Sequence, residues 1–263
     1  MQWVARINKA LEEERFELYF QPIVPIGGAQ GHWPHYELLL RMRDERGEIV
    51  APTAFIPAAE RYNLMPGLDR WVISHTLETL VYRDVPGIKP YTLAINLSGT
   101  TLNDARFLDF VLDELTAAAT VPGAICFEIT ETAAIANLDR VISFMRALKA
   151  RGCRFSLDDF GTGLSSLTYL KNLPVDYVKI DGQFVRNVLR DGADECVVES
   201  IARMARAFKI HAIAERVESR DVMQRLGELG VSFAQGYFIA VPRPVSELPK
   251  GAGVTVSVEP NTG

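Results

Sequence analysis

The sequence is short of the residues that most often announce chemistry. Cysteine occurs three times in 263 residues, as Cys126, Cys153 and Cys196. The three are odd in number, far apart and form no CxxC pair, the usage of reduced thiols in a cytoplasmic setting. The four histidines, His32, His35, His75 and His211, include neither a His–Asp dyad nor an HExxH, which leaves a histidine-based metallohydrolase unsupported. GxSxG is absent, so there is no nucleophile elbow. There is no GxxxxGK[ST] loop for a nucleoside triphosphate and no GxGxxG after the first strand for a dinucleotide. No signal peptide opens the chain and no apolar run reaches about 18 residues, so the polypeptide reads as soluble, either whole or as a piece of a membrane-attached protein. No lysine- or arginine-rich block interrupts a net charge of −5, which argues against a nucleic-acid duplex as partner. A phosphate ligand bridged to the acidic chain by metal cations is compatible with that charge.

Apolar residues are plentiful. At 48% they fill a large core and exclude disorder for most of the chain. The opening "MQWVARINKALEEERF" reads as an amphipathic helix, with Trp3, Ile7 and Leu11 at a spacing of four. Eight strand candidates follow: "FELYFQPIV", "YELLLRM", "TLAINLS", "AICFEITE", "RFSLDDF", "YVKID", "HAIAERV" and "FAQGYF". Helical patterns lie between them, such as Leu138 to Gly152, where Val141, Met145 and Leu148 share one face and Gly152 caps the end. Strand alternating with helix predicts parallel βαβ units, and eight strands in about 250 residues predict a TIM-type (β/α)8 barrel. The first connection, "PIGGAQGHWPH", is rich in Gly and Pro and has no helical stretch, so the first strand is expected to run antiparallel. The expected organisation is a linker helix over 1–15, a barrel over 16–248 and a frayed tail over 249–263.

Most strands finish on a polar or charged residue: Glu37, Asn96, Glu128 with Glu131, Asp158 with Asp159, Lys179 with Asp181, Glu215 with Glu218, and Gln235. The first strand adds Gln21. In such a barrel the C-terminal strand ends form the active site, so these residues converge on one mouth. Oxygen donors of this kind suit Mg2+ or Mn2+. Acids crowded into one mouth raise each other's pKa unless cations neutralise them. The adjacent Asp158 and Asp159 share a space only because the backbone turns at a strand end, and Asp158 is the candidate bridge between two metals about 3.5–4 Å apart. Each residue alone has a plainer reading. Glu37 is a helix cap or salt-bridge partner, "DDFGTG" an ordinary glycine turn, Lys179 a snorkelling lysine and His211 a packed strand residue. The recurrence of acids at successive strand ends is what points to metals.

The motifs "YFQPI", "ELLLR", "NLS", "FEITE", "DDFGTGLSSLTYLKNLPVDYVKID", "AERVE" and "AQGYF" occur in order from about Phe16 to Leu248. In these the chain resembles the EAL-domain phosphodiesterases, which hydrolyse cyclic di-GMP to linear pGpG. The resemblance implies a barrel with an antiparallel first strand. It implies a first metal on Glu37, Asn96, Glu128 and Asp158, and a second on Asp158 and Asp159, with Glu215 direct or through water. Lys179 is implied beside the attacking water, Gln235 on a water near the second metal, Arg41 on a ligand phosphate and Gln21 in ligand placement. Glu131 is implied as an anchor of the "DDFGTG" loop. The family further implies an upstream GGDEF or sensor domain and a homodimer; inhibition by Ca2+ is expected because its longer oxygen distances and looser geometry misplace water and phosphate.

Two positions depart from the family pattern. Leu38 replaces the usual Ala and is expected to point away from the barrel interior. Arg216 replaces the usual Gly: either the backbone there needs φ > 0 and an Arg is strained, or Arg216 simply faces outward, the reading expected here. For the dimer there is a second argument, that Leu164, Leu167, Tyr169, Leu170 and Leu173 are too many apolar residues to face one core; the plainer reading has them cover their own chain. Two functions from different classes compete, a two-metal phosphodiesterase and a non-catalytic cyclic di-GMP receptor. Every metal-ligand position and the lysine are present, which favours the enzyme. A barrel that binds only a protein partner leaves the clustered acids unexplained.

Overall fold

The structure, a computed structural model, describes residues 2–27, 34–79, 91–162 and 167–248. Eight strands close into a barrel. β1 (Phe16–Pro25) and β2 (His35–Arg43) pair antiparallel, in register from Phe16 opposite Met42 to Ile23 opposite His35. β2 carries a short antiparallel partner, β3 (Ile49–Val50), and then pairs parallel with β4 (Thr92–Leu97). Parallel pairing continues through β5 (Ile125–Thr130), β6 (Arg154–Phe160), β7 (Tyr177–Ile180), β8 (His211–Ala214) and β9 (Phe233–Ala234). β9 closes the ring by returning antiparallel to β1, which also takes β10 (Arg243–Pro244) along its edge. The reversed first strand is therefore as the sequence predicts; the tip of its connection lies outside the described residues.

Among the described residues, ten helices accompany the strands: α1 (Gln2–Glu12), α2 (Pro52–Arg61), α3 (Met65–Thr79), α4 (Phe107–Ala118), α5 (Glu131–Ala136), α6 (Leu138–Lys149), α7 (Leu167–Leu170), α8 (Gly182–Asn187), α9 (Gly192–Phe208) and α10 (Arg220–Glu228). On α6, Val141, Phe144, Met145 and Leu148 are buried along one face, and Gly152 ends the segment at φ 86°. On α1, Ile7 and Ala10 are fully buried against Phe16, Met42, Phe55 and Leu68, so the opening helix is packed onto the barrel. Among the described residues, no helix is long and apolar enough to cross a membrane.

Alternation along the strands sorts the barrel interior into layers. The lowest holds His35, Thr92, Arg154, Tyr177, His211 and Phe233. Arg154 donates to the Tyr177 hydroxyl at 3.0 Å, and the His35, Tyr177, His211 and Phe233 rings follow one another at centroid distances of 5.2, 5.9 and 5.5 Å. Burial, with the charges of Arg154 and Lys179, drives the His35 pKa down to about 3, so the ring is neutral. Above this floor Ile23, Ala94, Cys126 and Ile213 form an apolar layer. The site residues sit above that. Leu38, of opposite parity, is buried in the main core, as expected for a side chain pointing away from the interior.

Two expectations are corrected here. Arg216 is exposed, but its backbone is left-handed at φ 53°, so the strained alternative is the one that holds. Tyr169, Leu170 and Leu173 are buried in the chain's own main core, so they supply no leftover patch; Leu164 and the Leu167 side chain lie outside the described residues. The homodimer is then left resting on the family resemblance.

The last two strands are shorter than the predicted "HAIAERV" and "FAQGYF", because after Ala214 and Ala234 the backbones leave the sheet and clamp each other. Val217 N–H donates to Gln235 O at 2.9 Å, and Phe238 N–H to Val217 O at 3.1 Å. Gly236 makes this approach possible: a Cβ there would lie 2.2 Å from both N and O of Val217. Neither backbone can yield without moving Glu215 or Gln235. Gly236→Ala should therefore destabilise the protein by about 3 kcal/mol, the upper range for overpacking, read as a lower urea midpoint at unchanged slope.

Candidate metal and phosphate site

Each site residue stands two positions beyond an interior residue of its strand: Asn96 beyond Ala94, Glu128 beyond Cys126, Asp158 beyond Ser156, Lys179 beyond Tyr177, Glu215 beyond Ile213 and Gln235 beyond Phe233. Glu37 follows His35 in the same way, and Gln21 precedes Ile23 because its strand is reversed. Period-two geometry thus lifts residues from eight strands to one level.

Lys179 is at the centre. It is 1% exposed. Its Nζ lies 2.8 Å from Glu128 Oε2, 2.8 Å from Glu215 Oε1, 3.3 Å from Glu37 Oε2 and 3.5 Å from Asp158 Oδ1. Glu37 is further fixed by Asn96 Nδ2 at 2.8 Å and Gln235 Nε2 at 2.6 Å. Gln235 Nε2 also reaches Gln21 Oε1 at 3.0 Å, and Gln21 Nε2 donates to Ala240 O at 2.8 Å. One ammonium cannot neutralise four carboxylates, and the surplus falls unequally. Burial opposes ionisation of Glu37, yet Lys179 and the amides of Asn96 and Gln235 together hold its pKa below the usual range. Burial pushes Glu128 well above the usual range, against the pull of Lys179, and pushes Glu215 up to about 8. Burial disfavours the Lys179 charge, but the surrounding carboxylates outweigh it and raise its pKa well above normal.

Asp158 and Asp159 share a space through the backbone. Asp159 takes φ 54°, a left-handed conformation that Asp tolerates better than most residues, and the β6–β7 register shifts between Leu157 and Phe160. Oxygens of Asp158, Asp159 and Glu215 then lie within 4.8 Å of one another. Burial, reinforced by Asp158, raises the Asp159 pKa to about 6. Glu131, first residue of α5 and 2% exposed, accepts from Gly161 N–H at 3.1 Å and from the Tyr169 hydroxyl, so it ties both flanks of the loop that follows β6. Beside the acids opens a cavity of about 520 Å³, lined on the β2 side by Glu37, Leu39 and Arg41. Arg41 spends one N–H on Leu40 O at 2.9 Å and lies over the Tyr19 ring. Glu218 sits on the rim, and Asp181 caps α8 by accepting from Gln183 N–H at 2.6 Å.

Sequence reasoning passed over Asp69, Arg186 and Tyr237. Asp69 is a buried carboxylate on α3 that accepts from the N–H of Ser98, two residues past Asn96, at 2.9 Å, and burial raises its pKa to about 6. Its signal was an acid next to Leu68 on the apolar stripe of a helix. Arg186 and the 64% exposed Tyr237 line the cavity from α8 and from the segment after β9; no motif marks Arg186, and Tyr237 lies in "AQGYF", where only Gln235 drew attention.

The EAL domain family model matches residues 4–242. The chain belongs to the EAL domain family. Cyclic di-GMP phosphodiesterase PdeB of Shewanella oneidensis is 39% identical over 249 residues, covering 93% of this chain and 28% of that protein. Cyclic di-GMP phosphodiesterase PdeF of Escherichia coli is 36% identical over 240 residues, covering 91% and 32%. This EAL domain thus spans about a third of those relatives or less. Among solved structures, the PaMucR phosphodiesterase in its c-di-GMP complex superposes with a TM-score of 0.85 at 29% identity, covering 95% of this chain and 100% of that one.

The shifted carboxyls make stability depend on pH in a defined direction. Glu215 and Asp159 bind their protons more tightly folded than unfolded, so their contribution is full below the ordinary carboxylate range and lost as pH rises through about 6 and then about 8. Glu37 acts oppositely, losing its contribution only as pH falls below the ordinary range. Without divalent cations, Tm should therefore fall from pH 5 to pH 8, and Glu215→Gln should flatten that fall in thermal denaturation.

Proposed function

We propose that this EAL domain hydrolyses cyclic di-GMP to linear pGpG with two divalent cations, Mg2+ or Mn2+. The observation that carries the reading is the complete set of Glu37, Asn96, Glu128, Asp158, Asp159 and Glu215 gathered around Lys179, beside a cavity with an arginine on its wall. The donors fit such ions. Among the described residues, Glu128 Oε1 and Gln235 Oε1 are buried without a hydrogen-bond partner, free to bind a cation or accept from its water. Glu37, Asn96, Glu128 and Asp158 would hold one cation, and Asp158, Asp159 and Glu215 the other. When bound, the cations supply Lewis acidity to water and to the leaving oxygen.

The protein's own groups position the rest. The Lys179 ammonium offers positive charge beside the acids, where negative charge grows on the phosphate. Arg41 presents a planar fork to a ligand phosphate. Gln21 holds the Gln235 amide in place. The water oxygen joins phosphorus as the bond to the 3′ oxygen breaks, and that oxygen leaves with a proton. The same reading makes the chain a cytoplasmic module of a longer protein, joined through α1 to an upstream GGDEF or sensor domain.

Incubation with cyclic di-GMP and Mg2+, followed by chromatography, tests the proposal: pGpG is the expected product, whereas tight binding without turnover would mark a receptor. Glu37→Ala should abolish turnover, since no other acid replaces a ligand fixed by three partners; near-normal hydrolysis by this variant would refute the ligand set. Ca2+ should fail to support the rate, because its longer, looser coordination misplaces water and phosphate. In calorimetric titrations with Ca2+, Arg41→Ala should weaken cyclic di-GMP binding by about tenfold or more and leave metal affinity nearly unchanged.

A further inference from the structure

Two arginines from different elements meet over one glycine at the mouth. Arg186, on α8, folds back so that its Nε lies 3.4 Å from the Gly182 carbonyl oxygen. Arg216, after β8, lays its stem across the same residue: a Cβ on Gly182 would lie 2.4 Å from Arg216 Cδ, 2.7 Å from Cγ and 2.9 Å from Cβ. Only a glycine at 182 leaves room for that stem. Both arginines are exposed and line the cavity that holds Asp158, Asp159 and Glu215.

The arrangement is costly as it stands. Two cationic side chains converge on one residue, Gly182. Arg216 is held at φ 53°, where a side chain is strained and glycine is not. Among the described residues neither guanidinium is within ion-pair distance of a carboxylate, although acids share the cavity, and Arg216 makes no hydrogen bond at all. Strain of this kind at the rim of a site points to a ligand contact.

We propose that Arg186 and Arg216 form a second anion subsite that takes the terminal phosphate of a linear nucleotide product. This rests on the hydrolysis proposed above. Arg41, on β2, lies across β9 and β1 from Arg216, so the two sides of the mouth grip different parts of the ligand. A phosphodiester carries one negative charge. Hydrolysis adds the water oxygen to phosphorus and releases the 3′ hydroxyl, leaving a monoester of about −1.5 to −2 at neutral pH. Paired guanidinium forks match that dianion better than the monoanion that precedes it. The subsite therefore distinguishes product from substrate and retains the product after cleavage.

The test is calorimetric binding to the full chain, in Ca2+, of three probes: cyclic di-GMP, pGpG, and GpG, which lacks the 5′-phosphate. Wild type should bind pGpG about tenfold or more tighter than GpG. Arg216→Gly and Arg186→Gln should each collapse that ratio toward one while leaving GpG affinity unchanged, and Arg216→Lys should restore part of it. Arg216→Gly should also raise Tm, by relieving the left-handed strain, which separates lost binding from lost folding. An unchanged pGpG-to-GpG ratio in both variants overturns the subsite and leaves the phosphodiesterase reading standing. Equal loss of all three probes overturns it in favour of a structural role. A wild type that binds none of them overturns the functional reading and the subsite with it.

Discussion

The ammonium of Lys179 is the constraint around which this barrel is arranged. Four buried or half-buried carboxylates point at one positive charge. Without that charge their mutual repulsion and desolvation would make the layer too costly to bury. With it, burial still raises the pKa values of Glu128 and Glu215, and the neighbouring carboxylates add to that rise. On the reading proposed above, the site would exchange protons for divalent cations. Lys179, with the amides of Asn96 and Gln235, outweighs the effect of burial and holds Glu37 ionised.

Strand geometry alone does not place every group. Asp159 and Arg216 both depend on left-handed backbone, and Glu215 and Gln235 lie just past the last residues of their strands. What fixes these is contact between connections: the Val217 backbone against Gly236, Glu131 beneath Gly161, Asp69 behind Ser98. The layer around Lys179 is half sheet and half loop, and the loop half is held by specific hydrogen bonds and close approaches.

This division explains what could be read from the sequence. The barrel was legible because eight alternating runs and helical stripes between them leave few topologies, and the reversed first strand because a Gly- and Pro-rich connection cannot be a crossover. The metal-ligand candidates were legible because alternation places each of them two steps beyond an interior position. Arg216 was misjudged because the sign of φ is set by Val217 meeting Gly236, a contact 19 residues away in sequence that no local pattern encodes. Asp69 and Arg186 escaped notice for a related reason. Their place near the site comes from helix packing and from the gap at Gly182, and neither follows from a strand-end rule. The apolar segment after β6 was over-read, since Tyr169, Leu170 and Leu173 find room in a core larger than their local spacing implied.

The floor built from His35, Arg154, Tyr177, His211 and Phe233 has a kinetic corollary. A barrel plugged at one end has a single entrance. On the two-metal reading proposed above, ions bound for Glu128, which is fully buried, would share that entrance with any nucleotide lodged in the cavity above. Loading order would then be fixed by the shape of the barrel: ions first, nucleotide second, and departure in reverse. A nucleotide that entered an unloaded barrel would become a stopper, slowing the very exchange needed to make it reactive.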